Sequence, residues 1–143
     1  MKIFKTVLVD DEKNNLDLLN HFIKKYCKNI EVIASCSTYD EAHKTLTTEK
    51  PDLVFLDIVL DRDTSFDLLQ ELEAPDFQII FTTAYDEYAI RAFKYNTIDY
   101  LLKPIIIEEL VSAVDKVSEK IDQSKTLNID SIKKISQSFN AKH

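Results

Sequence analysis

Asp52-Leu53-Val54-Phe55-Leu56-Asp57 decides the fold of this 143-residue chain. Four consecutive apolar residues sit between two carboxylates. The run is too short for a helix and apolar on both sides of a pleat. A strand of that kind is covered on both faces and belongs at the centre of a parallel sheet. It closes on Asp57, and a carboxylate at the end of a buried strand is costly to desolvate unless a cation shares its site.

Working outward, the other apolar runs also close on polar residues. Val7-Leu8-Val9 ends in Asp10-Asp11, Ile79-Ile80-Phe81 in Thr82-Thr83-Ala84, and Ile98 to Leu102 in Lys103-Pro104. Ile30 to Cys36 mixes polar with apolar and belongs nearer an edge. Strands are predicted over 5–10, 30–36, 52–57, 77–82 and 98–102. Helical periodicity fills the gaps, over about 12–27, 39–49, 64–73 and 86–95 and onward from Ile107. Leu16, Leu19, Phe22, Ile23 and Tyr26 share one helical face. Leu110, Val111, Val114, Val117 and Ile121 share another.

Five strand–helix units predict an α/β fold: a doubly wound, five-stranded parallel sheet of order 2-1-3-4-5, a flavodoxin-like three-layer sandwich. In that order strands one and three flank the topological switch point, where such sheets bind ligands. Asp10, Asp11 and Asp57 all fall there.

The bulk numbers exclude several classes. Net charge is -7, from 25 acidic and 18 basic residues, so the chain has little of the clustered cation that gripping nucleic acid requires. No run approaches the roughly 18 apolar residues of a membrane span. Met1-Lys2-Ile3-Phe4-Lys5 leads into a strand without a signal-peptide pattern, so a cytoplasmic location is expected. Cys27 and Cys36 lack metal-ligand spacing and read as buried small residues in a reducing compartment. Glycine is absent altogether. Glycine-rich phosphate loops are therefore excluded, and left-handed turns are expected to fall on Asn or Asp. Asn29 is the expected left-handed cap of the first helix.

Residues 1–122 are expected to form one domain. The polar stretch from Asp122 to Asn128 reads as a linker. Ile129, Ile132, Ile135 and Phe139 form a weak helical stripe, so 123–143 are a linker or partial helix.

Three carboxylates, a hydroxyl and an ammonium at strand ends are the parts of a Mg²⁺-dependent phosphate site. Asp11 and Asp57 are the expected direct ligands, Asp10 a ligand through water, and the backbone carbonyl of Val59 the third protein ligand. Asp57 is the expected nucleophile and site of modification. Lys103 and Thr83 would each bind a phosphoryl oxygen. A cis Lys103-Pro104 bond would aim the lysine inward.

Asp10-Asp11, Asp57, Thr83-Ala84 and Tyr100-Leu101-Leu102-Lys103-Pro104 together resemble the receiver domain of bacterial two-component response regulators. Phe81 to Ala89, Ala92-Phe93 and Asp99 to Pro104 resemble its LytR/AlgR (LytTR-type) subgroup. The resemblance implies a phosphoacceptor switch rather than an enzyme with turnover. A sensor histidine kinase would phosphorylate Asp57 with Mg²⁺, or Mn²⁺ in its place. Thr83 would then move toward the phosphate and Tyr100 turn inward. The face of the fourth helix, fifth strand and fifth helix would change and could pair two copies. Transcription would be controlled through a C-terminal DNA-binding domain missing here, or else a stand-alone receiver would act by protein contacts. No membrane partner is implied.

Receivers commonly carry glycine where Ser65 and Asn96 stand, and proline where Asp61 stands. An aspartate-nucleophile phosphohydrolase is the rival reading. It typically needs a second Asp two residues after the first, as proton shuttle, and Val59 occupies that position. Val59 and Tyr85 offer little to orient an attacking water, which predicts slow self-dephosphorylation.

Overall fold

The computed structural model describes residues 2–73 and 75–126. In chain order the elements are β1 (Phe4–Val9), α1 (Lys13–Tyr26), β2 (Ile30–Cys36), α2 (Tyr39–Glu49), β3 (Leu53–Leu56), β4 (Val59–Leu60) and β5 (Asp63–Thr64). They continue with α3 (Ser65–Glu71), β6 (Gln78–Thr83), α4 (Ala89–Ala92), β7 (Thr97–Leu102) and α5 (Ile107–Thr126). Five strands form one parallel sheet, β2-β1-β3-β6-β7. That is the expected doubly wound, flavodoxin-like order, with β2 at an edge. β4 and β5 form a small antiparallel hairpin just after β3, which the sequence did not announce.

Period-two alternation divides β3 between two cores. Val54 and Leu56 join Val7, Val9, Ile79 and Phe81 beneath α2 and α3. Leu53 and Phe55 join Leu8, Ile80 and Leu101 beneath α1 and α5. All four β3 side chains are fully buried, as a strand covered on both faces requires. The helix stripes are placed accordingly: Leu16, Leu19 and Ile23 of α1, and Leu110, Val114 and Val117 of α5, all face the second core. The α2 N-terminus is capped by Thr38, whose hydroxyl accepts the Glu41 amide at 3.1 Å.

Three expectations are corrected. The fourth helix is a single turn, Ala89–Ala92, not 86–95. The Lys94 and Tyr95 amides donate to Arg91 and Ala92, winding the chain into tighter turns. The Thr97 hydroxyl also takes the Ala92 carbonyl. Asn29 is not left-handed. Among the described residues the positive φ angles fall on Lys50 (46°), Asp61 (57°) and Glu73 (53°). Lys50 and Glu73 close α2 and α3, so the helix ends, not the residue types, chose them. Asn29 instead donates from its side chain to the Ser118 hydroxyl of α5 at 2.9 Å. Finally, α5 runs on to Thr126, so the part of the polar stretch from Asp122 to Thr126 is helix, the partial-helix alternative, and the rest of that stretch lies outside the described residues. The stripe from Ile129 to Phe139 lies outside the described residues.

Cys27 and Cys36 are buried and unbridged. Among the described residues no helix is long and apolar enough to cross a membrane.

Replacing either exposed left-handed residue with glycine relieves a Cβ clash at a helix end. Lys50→Gly and Glu73→Gly should each raise unfolding stability in urea by about 0.5–1 kcal/mol. Asn29→Gly, which loses the Ser118 bond and gains no relief, should lower it.

Candidate functional site

The site residues stand one step beyond their strands, held by extensions of the sheet ladder. The Asp10 amide donates to the Cys36 carbonyl at 3.1 Å, the Asp57 amide to Val9 at 2.9 Å, and the Lys103 amide to Thr83 at 2.8 Å. The C-terminal ends of β1, β3 and β7 thus become fixed platforms for two carboxylates and an ammonium. The Lys103–Pro104 bond is cis.

Lys103 Nζ donates to Asp10 Oδ2 at 2.7 Å and to Asp57 Oδ2 at 2.8 Å. Asp10 is only 4% exposed and Asp57 6%. The Glu12 amide donates to Asp10 Oδ1 at 2.9 Å, an Asx turn. The Asn15 side chain donates to the same oxygen at 3.5 Å. The Val59 amide donates to Asp57 Oδ1 at 3.4 Å. Asp11 is exposed and accepts the Asp61 amide at 2.9 Å.

Asp10, Asp11 and Asp57 each offer a carboxylate oxygen within 4.8 Å of the others. Two unit charges 4 Å apart repel by about 4 kcal/mol at an effective dielectric of 20. Three negative charges face one ammonium, which leaves two in excess. Hard oxygen donors in this number, with that excess, fit a divalent cation such as Mg²⁺.

The electrostatics are divided. Burial pushes the Asp57 carboxyl up, and the hydrogen bond and charge of Lys103 only partly offset it. Burial would lower Lys103, but hydrogen bonds to Asp10 and Asp57 and their charges outweigh it and hold the ammonium above its ordinary range. Lys103 therefore stays charged, while Asp57 is unusually easy to protonate.

Thr83 ends β6 and is buried. Its hydroxyl accepts the Tyr85 amide at 3.4 Å, so it is engaged locally. Tyr100 is half-buried on β7, its ring 6.2 Å from that of Phe81. Its hydroxyl donates to the Tyr85 carbonyl. The structure thus brings Asp10, Asp11, Asp57 and Lys103 into one constellation, with Thr83 at the neighbouring strand end and Tyr100 joined to it through Tyr85. Sequence reasoning missed Asn15 and the backbone amides of Glu12, Val59 and Asp61. Asn15 carried a faint signal, lying on α1 five residues after Asp10. The amides carried none.

The sequence profile of the response regulator receiver domain matches residues 6–115. The sensory transduction protein LytT of Bacillus anthracis is 36% identical over 121 residues, which are 82% of this chain and 48% of that protein. The sensory transduction protein LytR of Staphylococcus haemolyticus is 36% identical over 129 residues, 87% of this chain and 49% of that one. The chain therefore spans about half the length of these curated relatives. Among solved structures, the response regulatory domain of mrkE from Klebsiella pneumoniae superposes with a TM-score of 0.74 at 28% identity. It covers 83% of this chain and 98% of its own. The receiver domain of AraT from Geobacillus stearothermophilus gives 0.72 at 27%, covering 86% and 98%.

Removing the buried charge and removing its counter-charge have opposite consequences. In ion-free protein at neutral pH, Asp57→Asn should raise the thermal unfolding midpoint by a few degrees. The folded Asp57 pKa lies above its unfolded value, so its contribution is fullest below the ordinary carboxylate range and is lost as pH rises through the folded pKa. The gap between variant and parent should accordingly narrow on acidification. Lys103→Met leaves two buried carboxylates unpaired and should cost roughly 3–5 kcal/mol in urea unfolding at neutral pH.

Proposed function

The chain belongs to the response regulator receiver domain family of two-component signalling, among relatives of the LytTR type, and from that premise we propose that it is a phosphoacceptor switch working through Asp57. The observation that carries this reading is the constellation of Asp10, Asp11, Asp57 and Lys103 at the switch point. A sensor histidine kinase is the donor. One Asp57 oxygen attacks the phosphorus of the partner's phosphohistidine. An O–P bond forms, the N–P bond breaks, and the imidazole nitrogen keeps the electron pair and takes up a proton.

A divalent ion held by Asp11, Asp57 and the Val59 carbonyl, with Asp10 acting through water, would supply charge neutralisation for the transferring group. The chain's own residues do the rest. Lys103 trades its contact with Asp57 for a phosphoryl oxygen and keeps Asp10 as its anchor. Thr83 gives up the Tyr85 amide to donate its hydroxyl to another oxygen. Because Tyr100 also bonds Tyr85, that exchange reaches Tyr100 through one residue.

A cavity of about 310 Å³ borders Asp10 and Lys103, walled by Leu18, Phe22, Pro104 and Ile105. A partner presenting its histidine to Asp57 has an apolar foothold there. Ile90 (86% exposed) and Phe93 (64% exposed) mark the α4–β7–α5 face. We assign that face to pairing of two copies, and the output to transcription through a C-terminal DNA-binding domain. The exposed apolar pair equally favours the second reading, a receiver acting through protein contacts alone. A cytoplasmic setting accompanies either.

Treatment with a small phosphodonor and Mg²⁺ should add one phosphate per chain by mass spectrometry, and chelation should prevent it. Asp57→Asn should carry none at that site. Repeated turnover of the donor would instead support a phosphohydrolase. Val59 presents an apolar side chain and Tyr85 is exposed, so the phosphorylated form should persist for minutes or longer. A lifetime of seconds would contradict slow self-dephosphorylation.

A further inference from the structure

Asp11 is the carboxylate with the least support. Asp10 is fixed by Glu12, Asn15 and Lys103, and Asp57 by Lys103 and Val59. Asp11 is exposed, and among the described residues the hydrogen bond that holds it comes from a backbone, the Asp61 amide on its Oδ2 at 2.9 Å. Asp61 lies 50 residues further along the chain. It occupies the first loop position of the β4–β5 hairpin, in which Val59 pairs with Thr64 and Leu60 with Asp63.

Its φ is 57°. A two-residue hairpin loop with positive φ at its first position ordinarily carries glycine there. Asp is among the few other residues that tolerate it. A proline could neither adopt this φ nor supply the N–H. The anchor is therefore unavailable to a receiver with proline at this position.

We propose that the backbone amide of Asp61 is a positioning group for divalent-ion binding. It fixes Oδ2 of Asp11 and leaves Oδ1 for the ion. The inference rests on the ion-binding reading of the acidic cluster given above. It makes affinity depend on the hairpin remaining closed. By linkage, the bound ion must hold the hairpin closed in return.

The test follows binding of Mn²⁺ by electron paramagnetic resonance, and of Mg²⁺ by competition, in the full chain. Asp61→Gly and Asp61→Asn retain the N–H and tolerate the left-handed backbone, and both should bind like the parent. Asp61→Pro removes the N–H and should weaken binding about tenfold, the worth of one hydrogen bond to a charged group. Unchanged affinity in the proline variant overturns the proposal. So does an equal loss in all three variants, which would make the Asp61 carboxylate the operative group.

Amide exchange of the folded chain by NMR gives an answer even where circular dichroism shows the proline variant unfolded. The Asp61 amide should be protected in the parent, more so with Mg²⁺, and unprotected in Asp11→Ala. Protection that survives Asp11→Ala overturns the proposal. A parent that binds neither ion overturns both this inference and the phosphoacceptor reading, whereas normal uptake by parent and proline variant alike overturns this inference alone.

Discussion

Lys103 reaches from the end of β7 to the carboxylates of Asp10 and Asp57 at once, at 2.7 and 2.8 Å. The rest of the site depends on that bridge. Two nearly buried carboxylates side by side would otherwise repel each other without water to screen them. One ammonium cannot balance three carboxylates, and the arrangement tolerates the mismatch because ladder hydrogen bonds fix the backbone beneath Asp10, Asp57 and Lys103. Excess negative charge held on a rigid base is what a divalent ion can relieve. The fold keeps Asp10 and Asp57 from moving apart, so the excess is relieved by a bound cation or by protonation of Asp57.

The same rigidity explains how a local event could travel. Among the described residues neither Thr83 nor Tyr100 hydrogen-bonds Asp57; each is tied to Tyr85. Behind them Phe66 stands at the start of α3, its ring 5.7 Å from Phe81 and 5.7 Å from Tyr95. The Arg91 guanidinium lies 4.5 Å over the Phe66 ring, within cation–π range. Phe66 comes two residues after the β4–β5 hairpin ends at Thr64, and Arg91 lies on the single turn of α4. Rearrangement after Asp57 therefore meets α4 through packed rings, and α4 is too short to resist it by its own hydrogen bonds.

Sheet order and the acidic pocket were legible because both rest on short, strong patterns. Leu53-Val54-Phe55-Leu56 cannot avoid a central position, and Asp10, Asp57 and Lys103 follow their strands directly. The extent of α4 was not legible. Its apolar periodicity runs across 86–95, but Thr97 captures the Ala92 carbonyl, and tertiary contacts override a weak propensity. The left-handed positions were misread for a related reason. Asn29 is of a residue type that tolerates such geometry, yet the need arises where α2 and α3 end, at Lys50 and Glu73. Residue preference says where a conformation is cheap; the fold decides where it is needed.

Asp61 is where preference and need coincide. The chain has no glycine, so each left-handed turn carries the steric cost of a Cβ. At Lys50 and Glu73 the turn does no more than end a helix. At Asp61 the same conformation presents an N–H to Asp11. Strain that recurs at a site is informative only when something is bonded because of it. By that criterion the β4–β5 hairpin is tied to the acidic cluster as the strands are. Its contribution was invisible in the sequence because it is made by a backbone atom that every residue except proline possesses.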